Sequence, residues 1–97
     1  MIYHFVCLRF KSGTGAEQID HAAQALLGLK GGIPEIREIR WGPNLGPSAN
    51  EYTHVLTVVL DDMAAVARYL AHPLHVAAVA EALAPIREAR LAVDVEG

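Results

Sequence analysis

The chain contains five histidines, and two of them stand in one short run, RYLAHPLH, Arg68 to His75. Tyr69, His72 and His75 recur at intervals of three, so an unbroken helix would carry them on one stripe. Pro73 forbids that continuity, because its ring removes a backbone N–H and pushes His72 out of helical angles. The break predicts that His72 caps a new helix beginning at Pro73 or packs at its corner, and that the new first turn re-aims His75 toward the sheet beside Tyr69. Two further histidines, His4 and His54, fall among apolar residues of strand-like segments. A buried polar group without a partner costs about 1–3 kcal/mol, so His4, His54, Tyr69 and His75 are expected to answer one another or to surround a wet cavity. An imidazole with an ordinary pKa of about 6.5 can take an acidic proton beside a carbonyl at neutral pH. A phenol can donate to the enolate oxygen as charge develops there. Neither step calls for a cofactor, and none is expected.

Other chemistries find less support. His54, His72 and His75 could supply imidazoles to a metal, but the proline upsets simple ligand spacing and no adjacent Asp, Glu or Cys completes the set. No metal site is assigned. There is no glycine-rich phosphate loop, no Ser-His-Asp pattern and no paired carboxylates in register. His21 reads as solvated helix surface and Cys7 as a small core hydrophobe. Arg37 and Arg40 belong to the alternating charges of a solvated strand face.

The elements that must position these groups follow from periodicity. IYHFVCLRF alternates, with Ile2, His4, Val6, Leu8 and Phe10 on one face and Tyr3, Phe5, Cys7 and Arg9 on the other. Both faces are largely apolar, which predicts a central strand covered on both sides. Thr14 and Glu17 form a capping-box signature. The helix beyond carries Ile19, Ala22, Ala23, Leu26 and Leu29 inward and stops at Gly31-Gly32 and Pro34. A second strand is predicted over 35–41, a loop over 42–50 and a third strand over 52–60, in which His54 shares a face with Tyr52, Leu56, Val58 and Leu60. Asp61 or Asp62 caps a helix whose inner stripe is expected to be Met63, Val66, Ala67 and Leu70. The helix after Pro73 is expected to run to Ala84, and the last strand sets Ala89, Leu91, Val93 and Val95 against Arg90, Asp94 and Glu96. The order β-α-β-β-α-α-β predicts an α+β, ferredoxin-like fold: a four-stranded antiparallel sheet with its helices on one face. The opposite face, with Phe5, Cys7, Val55 and Val59, then needs another cover, and a second subunit's sheet would supply it.

Bulk properties narrow the function classes. Ninety-seven residues make one domain, 1–97, and a chain with 53% hydrophobic residues but only 6% aromatic builds its core from aliphatic side chains. A formal charge of −3 without a Lys/Arg stripe excludes nucleic acid and anionic membrane as expected partners. A single cysteine, no signal-peptide pattern and no membrane-length apolar run point to a cytoplasmic chain.

The residues also carry a resemblance. The opening strand with His4, Ile33-Pro34, Tyr52-Thr53-His54, Tyr69 to His75 and Val93-Asp94 together resemble the stress-responsive α/β-barrel (Dabb) domain family along essentially the whole chain. The resemblance implies a ferredoxin-like unit whose sheet packs against that of a second copy, giving a homodimeric α/β barrel. The best understood activity in that family is an olivetolic acid cyclase-type polyketide cyclisation, a cofactor-free C2–C7 aldol condensation. Its functional positions carry over as His75, the general base, and Tyr69, which orients or polarises the substrate. His4 and His54 match the other polar pocket positions; with His72 they are the candidate substrate-binding residues. Two functions therefore stand side by side. One is a cyclase- or lyase-like catalyst of a small, polyketide-like carbonyl compound. The other is a non-catalytic, stress-associated protein that only holds a small-molecule ligand.

Overall fold

The computed structural model describes all residues, 1–97. The opening alternation forms strand β1, Ile2–Phe10, and the even-numbered residues of that strand are the buried ones. Helix α1 follows over Ala16–Leu27 and tightens into a 3-10 turn at Gly28–Gly31. Its inward residues Ala22, Ala23, Leu26 and Leu29 are those the period predicts. The N-terminal cap lies one residue later than expected. Gly15 is the cap and its N–H donates to Gln18 Oε1, while the Thr14 hydroxyl turns back to Lys11 O.

Strand β2 occupies Glu38–Pro43, three residues later than its predicted start. Ile33 and Ile36 are used instead as core plugs in the turn leading into it. Strand β3, His54–Leu60, starts two residues inside its predicted range. Helix α2, Met63–Ala71, begins where the Asp62 carboxylate accepts the Ala65 N–H at 2.8 Å. Its buried residues are Ala65, Val66 and Tyr69, whereas Met63, Ala67 and Leu70 are exposed. The helix is thus rolled from the expected stripe. With alanines on several sides its faces are nearly equal in apolarity, and burying the large Tyr69 ring decides the orientation.

Helix α3, Pro73–Ala78, gives way before Ala84 to a single π turn at Val79–Leu83, where the Ala84 N–H reaches Val79 O. Strand β4, Arg87–Glu96, ends the fold. The strands pair antiparallel in the order β2-β3-β1-β4, so β1 is central as its two apolar faces require. This is the ferredoxin-like α+β architecture, with one sheet face covered by the helices and the other open. On the open face stand Tyr3, Phe5, Cys7 and Val55, joined by the exposed Leu91, Val93 and Val95 of β4. Val59, expected there too, is buried where Tyr3 and Glu38 flank it across the sheet.

Candidate functional site

Period-two alternation in β1 carries His4 to the helix-covered side, where it is 4% exposed. The antiparallel register sets it directly opposite Asp94 of β4. Its Nδ1 lies 2.7 Å from Asp94 Oδ1. A carboxylate only accepts, so Nδ1 donates to it and Nε2 is the ring nitrogen left without a protein partner. The partner that orients His4 is therefore ninety residues away, on the strand that the sequence marks only as polar-faced.

The break at Pro73 orients the second histidine. His72 adopts φ −62° and ψ 134°, and its Nδ1 accepts the Leu74 N–H at 3.1 Å, capping α3. Ending α2 at Ala71 leaves the carbonyls of its last turn without helical partners. One of them, Leu70 O, accepts a hydrogen bond from His75 Nδ1 at 3.0 Å. A carbonyl cannot donate, so His75 too carries its proton on Nδ1 and presents Nε2 as a base. The proline break thus exposes an acceptor and swings back the ring that uses it.

Tyr69 links the two. Its ring centre lies 4.6 Å from that of His75 and 6.0 Å from that of His4, meeting the latter edge-on. All three line a hollow of about 60 Å³ between sheet and helices, open to solvent on one side and walled otherwise by aliphatic side chains and by Arg87 and Arg90. No buried side-chain polar atom is sealed off without a partner, and the Tyr69 hydroxyl, which bonds to no protein group, keeps contact with this hollow. Burial pushes the phenol up to about 12, so it is a neutral donor across the physiological range. Burial pushes the His75 imidazole below its ordinary value, against the opposing hydrogen bond to Leu70 O; His4 and Arg90 lower it further. His75 is therefore neutral and basic at pH 7.

Two of the predicted residues are not brought to this hollow. His54 shares the sheet face of His4 but stands opposite Leu8, because β3 runs antiparallel to β1; Val58 is the residue opposite His4. Four residues of strand correspond to about 13 Å, so the two imidazoles lie in separate neighbourhoods. His54 stacks on Trp41 at 5.4 Å, meets the Phe10 ring at 5.4 Å and shares a hydrogen bond with Thr53 Oγ1. His72 stays at the helix corner as a cap. Conversely, Arg87 and Arg90 line the hollow and carried no local signal beyond polar alternation, while Asp94, of the Val93-Asp94 pair, joins the site through His4.

A second cleft, of about 290 Å³, is lined at the surface by Glu17, Gln18, His21, Glu81, Ala82, Pro85 and Ile86. No three His, Cys, Asp or Glu side chains are grouped anywhere so as to hold a metal ion.

Residues 2–97 match the family described as the Stress Responsive A/B Barrel Domain, Dabb. The chain belongs to that family. It is 29% identical over 77 residues to the stress-response A/B barrel domain-containing protein HS1 of Arabidopsis thaliana, covering 77% of this chain and 71% of that protein. It superposes with a TM-score of 0.84 on a dimeric ferredoxin-like protein of Bacteroides fragilis, 29% identical, over 99% of this chain and 95% of the other. A hydroxynitrile lyase of Passiflora edulis superposes with a TM-score of 0.85 and 26% identity, over 97% and 90% of the two chains. Family relatives of this fold are dimeric, and no helix here is long and apolar enough to cross a membrane.

Proposed function

We propose that this Dabb-family chain is a homodimeric, cofactor-independent acid–base catalyst that moves a proton next to the carbonyl of a small compound. In this reading His75 Nε2 takes the α-proton, the electron pair of that C–H bond forms a C=C bond, and the carbonyl π pair shifts onto the oxygen. The Tyr69 hydroxyl donates a hydrogen bond to that oxygen, and His4, held by Asp94, offers a second polar contact. A positioned base contributes about 10²–10⁴-fold and a donor to the developing oxyanion about 10²–10³-fold. The observation that carries the reading is the convergence of His4, Tyr69 and His75, each with a free polar atom, on one hollow.

The volume bears on the substrate class. About 60 Å³ holds roughly two to four water-sized groups, well short of the ~300–1,000 Å³ of sites for drug-sized ligands. Only a small carbonyl compound, or the reacting end of a longer one, fits inside. The likeness to a protein named hydroxynitrile lyase supports small-molecule lyase chemistry over cyclisation of an extended polyketide.

The open sheet face supports the dimer. It presents Tyr3, Leu91, Val93 and Val95 at 38–49% exposure, a contiguous apolar surface that a second copy would cover as in the dimeric relatives.

The test is hydrogen–deuterium exchange at the α-carbon of small ketones and β-keto compounds in D₂O, followed by proton NMR, for wild type and His75→Gln. Exchange above buffer that His75→Gln abolishes is the expected result. Absence of any exchange, or exchange indifferent to the substitution, rules out the catalytic reading. Thermal stabilisation of the wild type by the same compounds would then leave ligand binding as the function.

A further inference from the structure

Six arginines occur in the chain, and four are ion-paired: Arg9 with Glu88, Arg37 with Asp61, Arg40 with Glu38 and Arg68 with Glu35. The two without a carboxylate partner, Arg87 and Arg90, are the two that line the hollow. Strict alternation cannot put both on one face of a strand, since they are three residues apart. A bulge does. Arg90 pairs with Leu8 and Ala89 with Arg9, but the next pair joins Phe10 to Arg87, so Glu88 is the extra residue. Glu88 turns to the open face, where it meets Arg9, and Arg87 is returned to the helix-covered side beside Arg90. Arg90 is exposed and Arg87 half-buried, so they stand where the hollow meets solvent. Two arginines without a carboxylate partner, lining one hollow on a chain of net charge −3, are suited to an anion.

Building on the acid–base reading above, we propose that the substrate is a small oxo acid. Its carboxylate sits against Arg87 and Arg90, and its carbonyl and acidic C–H reach inward to Tyr69 and His75. Guanidinium forks match a carboxylate's two oxygens and would fix the acid's orientation. The hollow's small volume then suffices, because the charged end stays at the rim and only the few atoms of the oxo end enter. Enolisation of such an acid balances without a co-reactant. The C–H electron pair forms a C=C bond as the carbonyl π pair moves to oxygen, His75 holds the proton, and reprotonation at carbon reverses both shifts.

The experiment pairs pyruvate, 2-oxobutyrate and acetoacetate with their methyl esters, which keep the carbonyl and lose the charge. Binding is measured by calorimetry and α-proton exchange by NMR, for wild type, Arg87→Gln/Arg90→Gln and His75→Gln. The double variant must keep the wild-type circular dichroism spectrum, and Arg90→Lys serves as the conservative partner. Loss of a charge-assisted contact predicts that at least one acid binds about tenfold or more tightly than its ester and that the double variant erases the difference. Arg90→Lys should restore part of the preference. Equal binding of every acid and its ester, or a preference that survives the double variant, overturns the inference. Exchange that depends on His75 but ignores charge removes the oxo-acid assignment alone. Arginine-dependent binding with exchange indifferent to His75→Gln removes the acid–base reading and leaves the anion site standing.

Discussion

Replacing Tyr69 by Phe should stabilise this protein or leave its stability unchanged while removing most of the proposed proton-transfer activity. The side chain is 0% exposed, and its ring is a member of the core cluster, so Phe retains nearly all the packing. The hydroxyl is what changes. It bonds to no protein group and faces a hollow of about 60 Å³, so its only solvation comes from what occupies that space. If water satisfies it fully, deletion costs nothing; if water satisfies it poorly, deletion relieves up to about 1–2 kcal/mol of the usual penalty. For a domain of this size each kcal/mol corresponds to about 4–8 °C, so Tm should rise by between zero and roughly 16 °C. The same hydroxyl is the proposed donor to the enolate oxygen, whose loss costs about 10²–10³ in rate. The assays are a thermal melt by circular dichroism and α-proton exchange by NMR. A fall in Tm of more than about 4 °C would show that the hydroxyl is tied into the fold, and unchanged exchange would show that it does no chemistry.

Three further outcomes follow from the geometry. Burial lowers the folded-state pKa of both His75 and His54 from 6.5, so below that value the unfolded chain binds more protons than the native one. Tm should therefore be flat well above pH 6.5, fall as pH drops from there toward the lowered native values and level off below them, while exchange catalysed by neutral His75 should fall around its lowered native value; a catalytic midpoint at or above pH 6.5 would contradict this. Asp94→Ala should remove the acceptor of the His4 Nδ1–H, visible in the ¹⁵N spectrum of the ring, and lower exchange; an unchanged spectrum would mean that Asp94 does not orient the ring. Val93→Asp should place a charge in the open apolar face and halve the mass seen by light scattering to the 10.5 kDa of one chain, and a wild type already at that mass would refute the dimer.

Much of the fold is legible without coordinates because its rules are local. Alternation in β1 and β4, the Asp62 cap and the glycine stop after α1 each act within a few residues. The alanine-rich α2 is less legible, since small side chains leave several faces equally fit to be buried. The start of β2 is similar: Ile33 and Ile36 suit a strand as well as a plug, and only the space beside α1 selects between them.

The candidate site divides along the same line. Sequence alone determined that the helix breaks at Pro73 and that His4 shares a strand face with Ile2, Val6, Leu8 and Phe10, because steric exclusion at proline and the two-residue period of a strand need no distant partner. Tertiary structure decided which polar groups meet. Antiparallel register carried His54 four residues away from His4, cross-strand pairing brought Asp94 to it, and one bulged residue turned Arg87 to stand beside Arg90. Register and bulges are set by how whole strands dock, so no single segment holds the information that selects them.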